Sequence, residues 1–238
     1  MLVLLISAFY LSTASAPDSL VIFSAQRTYH YRAVYISPTG DTLSRERITM
    51  QPSGQPWVGQ PKRQSACTVQ YSYRPADSLT FSARPNPQTQ DVRKPYAWQW
   101  QYSTVTGVIE NPQEIWIHPF RSNQYAYTEV APFPQVKPAL LHPGKSWRGG
   151  RLFIMGGWGA FKGSVQPTYH VKAPATRRYG KQDLSGCWLI EAVGQHSRLG
   201  TSYLDFYFHP RYGFTEVHYR FYDGTRISFV LEQLDTAS

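Results

Sequence analysis

The closing stretch of the chain limits the possible folds more than any other. Four runs that read as strands, Gly186 to Val193, Ser202 to His209, Phe214 to Tyr222 and Arg226 to Leu231, follow one another across short gaps. Alternation of period two puts successive side chains on opposite faces of a strand. The gaps are too short for the crossover that a parallel pair needs, so consecutive strands must run antiparallel. Asp223-Gly224, between the last two runs, has the chemistry of a two-residue hairpin turn.

The same pattern recurs upstream. Thr28 to Ser37 and Thr42 to Met50 flank the turn residues Pro38-Thr39-Gly40-Asp41 and predict a first hairpin. From Ala66 to Arg74, Cys67, Val69, Tyr71 and Tyr73 share one face, and Leu79, Phe81 and Ala83 repeat the alternation. Ala97 to Thr104 sets Trp98, Trp100 and Tyr102 on one face of a predicted strand. Shorter strands are expected at Glu114 to His118, Ala126 to Val130 and Thr168 to Ala173. Gln51 to Gln64, residues 84 to 95 and the basic segment Pro174 to Asp183 read as loops. Six glycines between Arg148 and Gly163 predict bulges or a bend. Aromatic residues reach 15% while charged residues are only 16%, a balance that favours strands over surface helices and excludes global disorder. The fold class that follows is all-β: a curved antiparallel sheet, as an open or half-barrel or a closed one, with little helix beyond the N-terminal segment.

That segment sets the compartment. Met1 to Leu11 is apolar but short for a bilayer span, and Ser12 to Ala16 are small residues. Residues 1–16 are therefore expected to be a signal peptide and 17–238 a single β domain, exported to the periplasm or beyond. The competing reading is a buried first strand. Cys67 and Cys187 are compatible with a disulfide in an exported chain, but a core of this size needs no staple, which favours two buried thiols.

The formal charge of +9 suits an anionic envelope surface. Its basic residues cluster only in pairs (Lys62-Arg63, Arg93-Lys94, Arg177-Arg178), without a stripe or module of the nucleic-acid-binding kind, so nucleic acid is disfavoured. Gly144-Lys145-Ser146 lacks the earlier glycine of a phosphate loop, since residue 139 is Ala. The seven histidines form no short-spaced ligand pair, although His209 and His218 flank one turn. No metal and no cofactor is expected.

Gly107 to Pro134 carries the densest chemistry: Trp116, His118, Arg121 and Glu129 beside the corner Pro132-Phe133-Pro134. This segment reads first as a rigid connector, with Arg121 pairing Glu129 or Glu114, and second as the rim of a ligand site. The candidate ligand-binding residues are Trp98, Trp100, Tyr102, Trp116, His118, Arg121 and Trp158. The catalytic residues of any reaction are not assignable from the sequence. Glu110, Glu114, Glu129, Glu191, Asp205 and Glu216 form the pool for a carboxylate pair.

The run Trp116-Ile117-His118-Pro119-Phe120-Arg121, with Glu129, Pro132-Phe133-Pro134 and Tyr212-Gly213-Phe214, resembles a group of exported bacterial β-proteins with a W-x-H-P-x-R run. Phe120 stands where that group often has a second proline. The resemblance covers roughly residues 105 to 231 and implies no activity. The strand succession is distantly similar to the half-barrels of periplasmic lipoprotein carriers, which implies an apolar concave face and nothing about function by itself. The expectation is an exported envelope protein whose aromatic concave face takes a hydrophobic or amphipathic, lipid-like ligand. The alternatives are an envelope hydrolase using a carboxylate pair and a structural or interaction module.

Overall fold

A computed structural model describes residues 22–60, 62–88, 98, 100–155 and 157–237; the signal-like segment lies outside them. The described residues build one curved antiparallel sheet of thirteen strands that does not close into a barrel. The strands are β1 (Arg27–Ile36), β2 (Thr42–Pro56), β3 (Ser65–Ser72), β4 (Ser103–Glu110), β5 (Ile115–Ile117), β6 (Gln135–Val136), β7 (Ser146–Arg148), β8 (Leu152–Ile154), β9 (Gly163–Tyr179), β10 (Gln182–His196), β11 (Gly200–His209), β12 (Gly213–Arg220) and β13 (Arg226–Thr236). Their order is β6-β5-β4-β3-β2-β1-β13-β12-β11-β10-β9-β7, with β8 also paired to β9. Consecutive strands pair almost throughout, as short turns require. The first and last parts of the chain meet where β1 pairs with β13, Ala33 opposite Phe229.

The hairpin at Asp223-Gly224 forms as its turn chemistry predicts: Arg220 pairs with Arg226 and Gly224 has φ +89°, a value that glycine reaches without penalty. Inner-face positions of the central strands carry Tyr29, Tyr31, Ile48, Val69, Leu204, Phe206, Tyr219 and Phe229, all buried.

What covers that inner face is the chain itself. From Ile117 to Val136 every residue is buried except Arg121 and Tyr127, which are half-buried. Phe120 packs edge-on between Tyr31 and Phe229, with centroids at 5.3 and 5.0 Å. Tyr125 stacks on Tyr71 and donates to the buried Glu46 carboxylate at 3.0 Å. An irregular segment can be buried this deeply only if its polar backbone finds partners. Thr128 Oγ1 donates to the Phe120 carbonyl and Tyr169 Oη to that of Phe133. Gly194 of β10 makes room for the proline corner, because a Cβ there would lie 2.8 Å from both Pro132 Cδ and Val165 Cγ1.

The structure corrects five local expectations. Residues 51–56, read as the start of a loop, continue β2 to Pro56 and pair with β3. Residues 75–82 form a helix, α1 (Pro75–Ser82), rather than a strand. Pro75 suits a first helical turn, and the buried Asp77 accepts from the Arg74 backbone and guanidinium; of Leu79, Phe81 and Ala83 only Phe81 is buried, and Leu79 points to solvent. The strand expected from Ala97 begins at Ser103. Trp98 and Trp100 instead pack on Phe81 of α1, at 5.6 and 6.2 Å. Ala126 to Val130 belongs to a 3-10 helix, Asn123–Val130. Pro174 to Asp183 is no loop: it is the outer end of the β9–β10 hairpin, which folds back so that Arg177 clamps Glu216 at 2.8 Å through two nitrogens. Both cysteines are free thiols in buried positions.

The start of the described chain is tied down by one carboxylate. Glu110 accepts from the backbone N–H groups of Ile22 and Phe23, at 2.7 to 3.1 Å. Glu110→Ala is expected to remove about 1–3 kcal/mol of local protection. Amide exchange at Ile22 and Phe23 should accelerate by about five- to 150-fold while the β12 and β13 amides keep their rates.

Candidate functional site

The sheet is open between β6 and β7, and side chains bridge the gap. Trp147 Nε1 of β7 donates to Gln135 Oε1 of β6 at 2.8 Å, and the Gln135 amide donates to Glu114. Beside this seam lies a cleft of about 1190 Å³. One wall comes from the β2–β3 turn and β4 to β6, with Trp57, Arg63, Trp116, His118 and Gln135; the other comes from β8, β9 and the glycine-rich segment, with Arg151, Leu152, Trp158 and Tyr169.

Alternation along β5 decides which side chains reach the cleft. Trp116 and His118 face it, while Ile117 between them is turned into the core. Pro119 ends the strand, Phe120 dives into the core, and Arg121 returns to the cleft wall. Asn123 then takes φ +56°, a left-handed value that Asn tolerates better than most residues. Its side-chain amide is held at both ends by the backbone of Gln101. The 3-10 helix that follows brings Glu129 back beside Arg121.

His118, Arg121 and Glu129 form one cluster. Arg121 Nη1 lies 3.3 Å from Glu129 Oε1 and 3.3 Å from His118 Nε2, and His118 Nε2 is 3.4 Å from the same carboxylate oxygen. His118 Nδ1 sits 3.3 Å from the Pro119 carbonyl, which assigns the ring proton to Nδ1 and leaves Nε2 to accept. Burial first, and the Arg121 charge second, push His118 down to about 3, so the ring is neutral at physiological pH. Burial pushes Glu129 up to about 7 against the pull of Arg121. Phe133 packs 4.7 Å from the His118 ring, and the Arg121 guanidinium lies 5.9 Å from the Trp158 ring centroid. A carboxyl near its midpoint, a neutral imidazole and a half-exposed guanidinium thus share one aromatic wall. Such a wall can hold an anion against Arg121 or exchange a proton through Glu129.

Four of the seven sequence-predicted site residues, Trp116, His118, Arg121 and Trp158, come together at this cleft. The other three do not. Trp98 and Trp100 are stacked on each other over α1, and Tyr102 is 64% exposed beside Tyr73. The inner sheet face is covered by Pro119 to Pro134, so the open aromatic surface lies at the seam. Sequence reasoning missed Trp57, Arg63, Lys137, Arg151, Leu152 and Gln135 as cleft residues; no local pattern joins them, since they reach the cleft from both ends of the sheet.

The carboxylate pool divides by place. Glu114 and Glu129 line the cleft. Glu110 holds Ile22 and Phe23. Glu191 pairs with Lys172 at 3.0 Å, and Asp205 lies opposite it across β10 and β11. Glu216 is held down at about 2 by His218 and Arg177, against the opposing effect of burial. His209 and His218 do not pair: His218 is opposite Asp205, and His209 opposite Gly213. Among the described residues no group of three or more His, Cys, Asp or Glu is placed to hold a metal ion.

No family model matches the chain, and no curated protein matches it in sequence. Two solved structures are similar in fold. One is a Bacteroides fragilis protein designated exported, with a YmcC-like fold; it has 8% identity and a TM-score of 0.52, over 90% of this chain and 97% of that one. The other, a Parabacteroides distasonis protein designated a lipoprotein, has 8% identity and a TM-score of 0.46, over 92% and 100% of the two chains. The first likeness extends over nearly the whole of both chains and is a likeness of fold.

Proposed function

We propose that this chain is an exported envelope protein that binds an amphipathic, anionic ligand in the seam cleft. One observation carries the reading. A single cleft joins Trp57, Trp116, Phe133, Trp158, Leu140 and Leu152 to the cations Arg63, Arg121, Lys137 and Arg151. The lining is about equally polar and apolar, with aromatic and aliphatic side chains set beside convergent cations, a make-up that suits a ligand with an apolar part and a charged head. Trp116 and Trp158 would hold the apolar part, and Arg121 the anionic head. The export reading draws on the signal-like N-terminus and on the fold shared with a protein designated exported.

Tryptophan fluorescence titrated with laurate, and separately with a neutral alkyl alcohol, tests this. Laurate should saturate the signal. Arg121→Gln should weaken laurate about tenfold, the loss of one charge-assisted contact of roughly 1.4 kcal/mol, and leave the alcohol unaffected. Absence of any saturable change up to millimolar laurate would overturn the proposal.

A second reading, a glycan hydrolase, is favoured by one feature. Two carboxyl groups, Glu114 and Glu129, share the cleft, and Glu129 is pushed up to about 7, where a general acid works best. It requires release of reducing sugar from envelope glycans by the wild type and none by Glu129→Gln at unchanged stability.

A further inference from the structure

The most exposed large apolar side chains are not scattered. Among the described residues Val58 is 93% exposed, Leu79 71%, Met155 70% and Phe153 68%. Three of these four sit on the two lips of the same cleft. Val58 belongs to the turn between β2 and β3, whose neighbours Trp57, Gln60, Arg63 and Gln64 line one side. Phe153 and Met155 lie on and just after β8 and line the other. Scattered surface hydrophobes need no explanation, whereas grouped ones rimmed by charge mark an interaction site.

The charge on both lips has one sign. Lys62 and Arg63 follow Val58 in the same turn; Arg148 and Arg151 precede Phe153. The first lip falls within residues 47–76 and the second within residues 130–182, and neither stretch contains an Asp or Glu. The cleft's exposed-side acid, Glu114, is engaged by the Gln135 amide, and Glu129 is buried beside Arg121. Aliphatic and aromatic tips set among arginines and lysines are the composition that inserts shallowly into an anionic bilayer. The apolar groups enter the acyl boundary while the cations stay with the headgroups.

We propose that the two lips of the seam cleft, Val58 with Lys62 and Arg63 on one and Phe153 and Met155 with Arg148 and Arg151 on the other, dock the protein on an anionic lipid surface. The cleft mouth then opens onto the bilayer. The partner is a membrane surface rather than a protein groove because the apolar tips come from two separate segments, the β2–β3 turn and β8 with the residue after it. They present apolar points within a like-charged rim, not a continuous apolar patch.

The test is co-sedimentation of the full chain with vesicles of phosphatidylglycerol and phosphatidylcholine, and with phosphatidylcholine alone. Wild type should partition onto the anionic vesicles and release as salt is raised. Arg63→Gln with Arg151→Gln should weaken partitioning about 25-fold, from about fivefold per basic residue. Val58→Asn, Phe153→Asn and Met155→Asn together should reduce it more than tenfold even at low salt. All three sites are exposed, so the melting temperature should hold, and every variant keeps the apolar N-terminal segment. Equal binding by wild type and the triple variant would overturn the proposal, as would failure of wild type to bind anionic vesicles. Laurate titration of the single variant Val58→Asn, the one lip tip that does not line the cleft, separates this from the cleft's own ligand: unchanged laurate affinity with weakened vesicle binding supports docking through the lips, and unchanged vesicle binding by this variant would overturn the part assigned to that lip.

Discussion

Replacing Phe120 by Ala is expected to lower stability by about 3–5 kcal/mol, the usual range for an aromatic truncated in a packed core. The ring is 5% exposed and wedged between Tyr31 of β1 and Phe229 of β13. Those strands pair at the middle of the sheet, where the first and last strands come together. Loss of the ring opens a cavity under the segment that covers the inner face, and a close-packed interior relaxes only partly around such a void. Guanidinium denaturation should show a lower midpoint. A hydrophobic dye should bind the variant more than the wild type, because the covering segment loosens. A loss below about 1 kcal/mol would mean that the segment rests on the sheet without packing into it.

The second large effect is one of pH. Glu46 is 5% exposed on the inner face of β2, where it accepts from Gln124 Nε2 at 2.6 Å and Tyr125 Oη at 3.0 Å. Burial raises it from 4.5 to about 7, with the Tyr125 hydroxyl pulling the other way. Between those two values the folded chain keeps a proton that the unfolded chain has lost. Stability therefore falls as pH rises from about 4.5 to about 7, and the contribution present below 4.5 is gone above 7. Glu46→Gln removes this slope. Measured against wild type, the variant should gain up to about 3 kcal/mol at pH 8 relative to pH 4, at 1.36 kcal/mol per unit. The cleft cluster does not mask the effect. Glu129 adds a falling slope of the same kind up to about 7. His118, held neutral down to about 3 against an ordinary 6.5, gives a rising slope from 3 to 6.5 that offsets Glu129 over most of the window. Parallel pH profiles for wild type and variant would show that Glu46 titrates alike in the folded and the unfolded chain, with no upward shift.

The site was legible where it was local. Trp116, His118 and Arg121 share one short segment, and the prolines around them signal a fixed backbone. Trp98, Trp100 and Tyr102 were equally visible as an alternating aromatic run, yet alternation cannot say what a face will meet. Two of these rings meet α1, a helix that the sequence disguised as a strand because Leu79, Phe81 and Ala83 alternate by chance. Only Phe81 of the three is turned inward.

By itself the sequence determined the first hairpin, the four closing strands, their antiparallel pairing and the hairpin at Asp223-Gly224. These follow from the two-residue period of the pleat and from turn chemistry, which act over a few neighbouring residues. Tertiary structure alone decided that Pro119 to Pro134 fills the concavity and that the sheet stays open between β6 and β7. It also gathered Trp57, Arg121, Arg151 and Trp158 around one cleft. Those outcomes depend on how far thirteen strands curl before their end strands approach. That curvature is a property of the whole sheet and leaves no trace in any single stretch of chain.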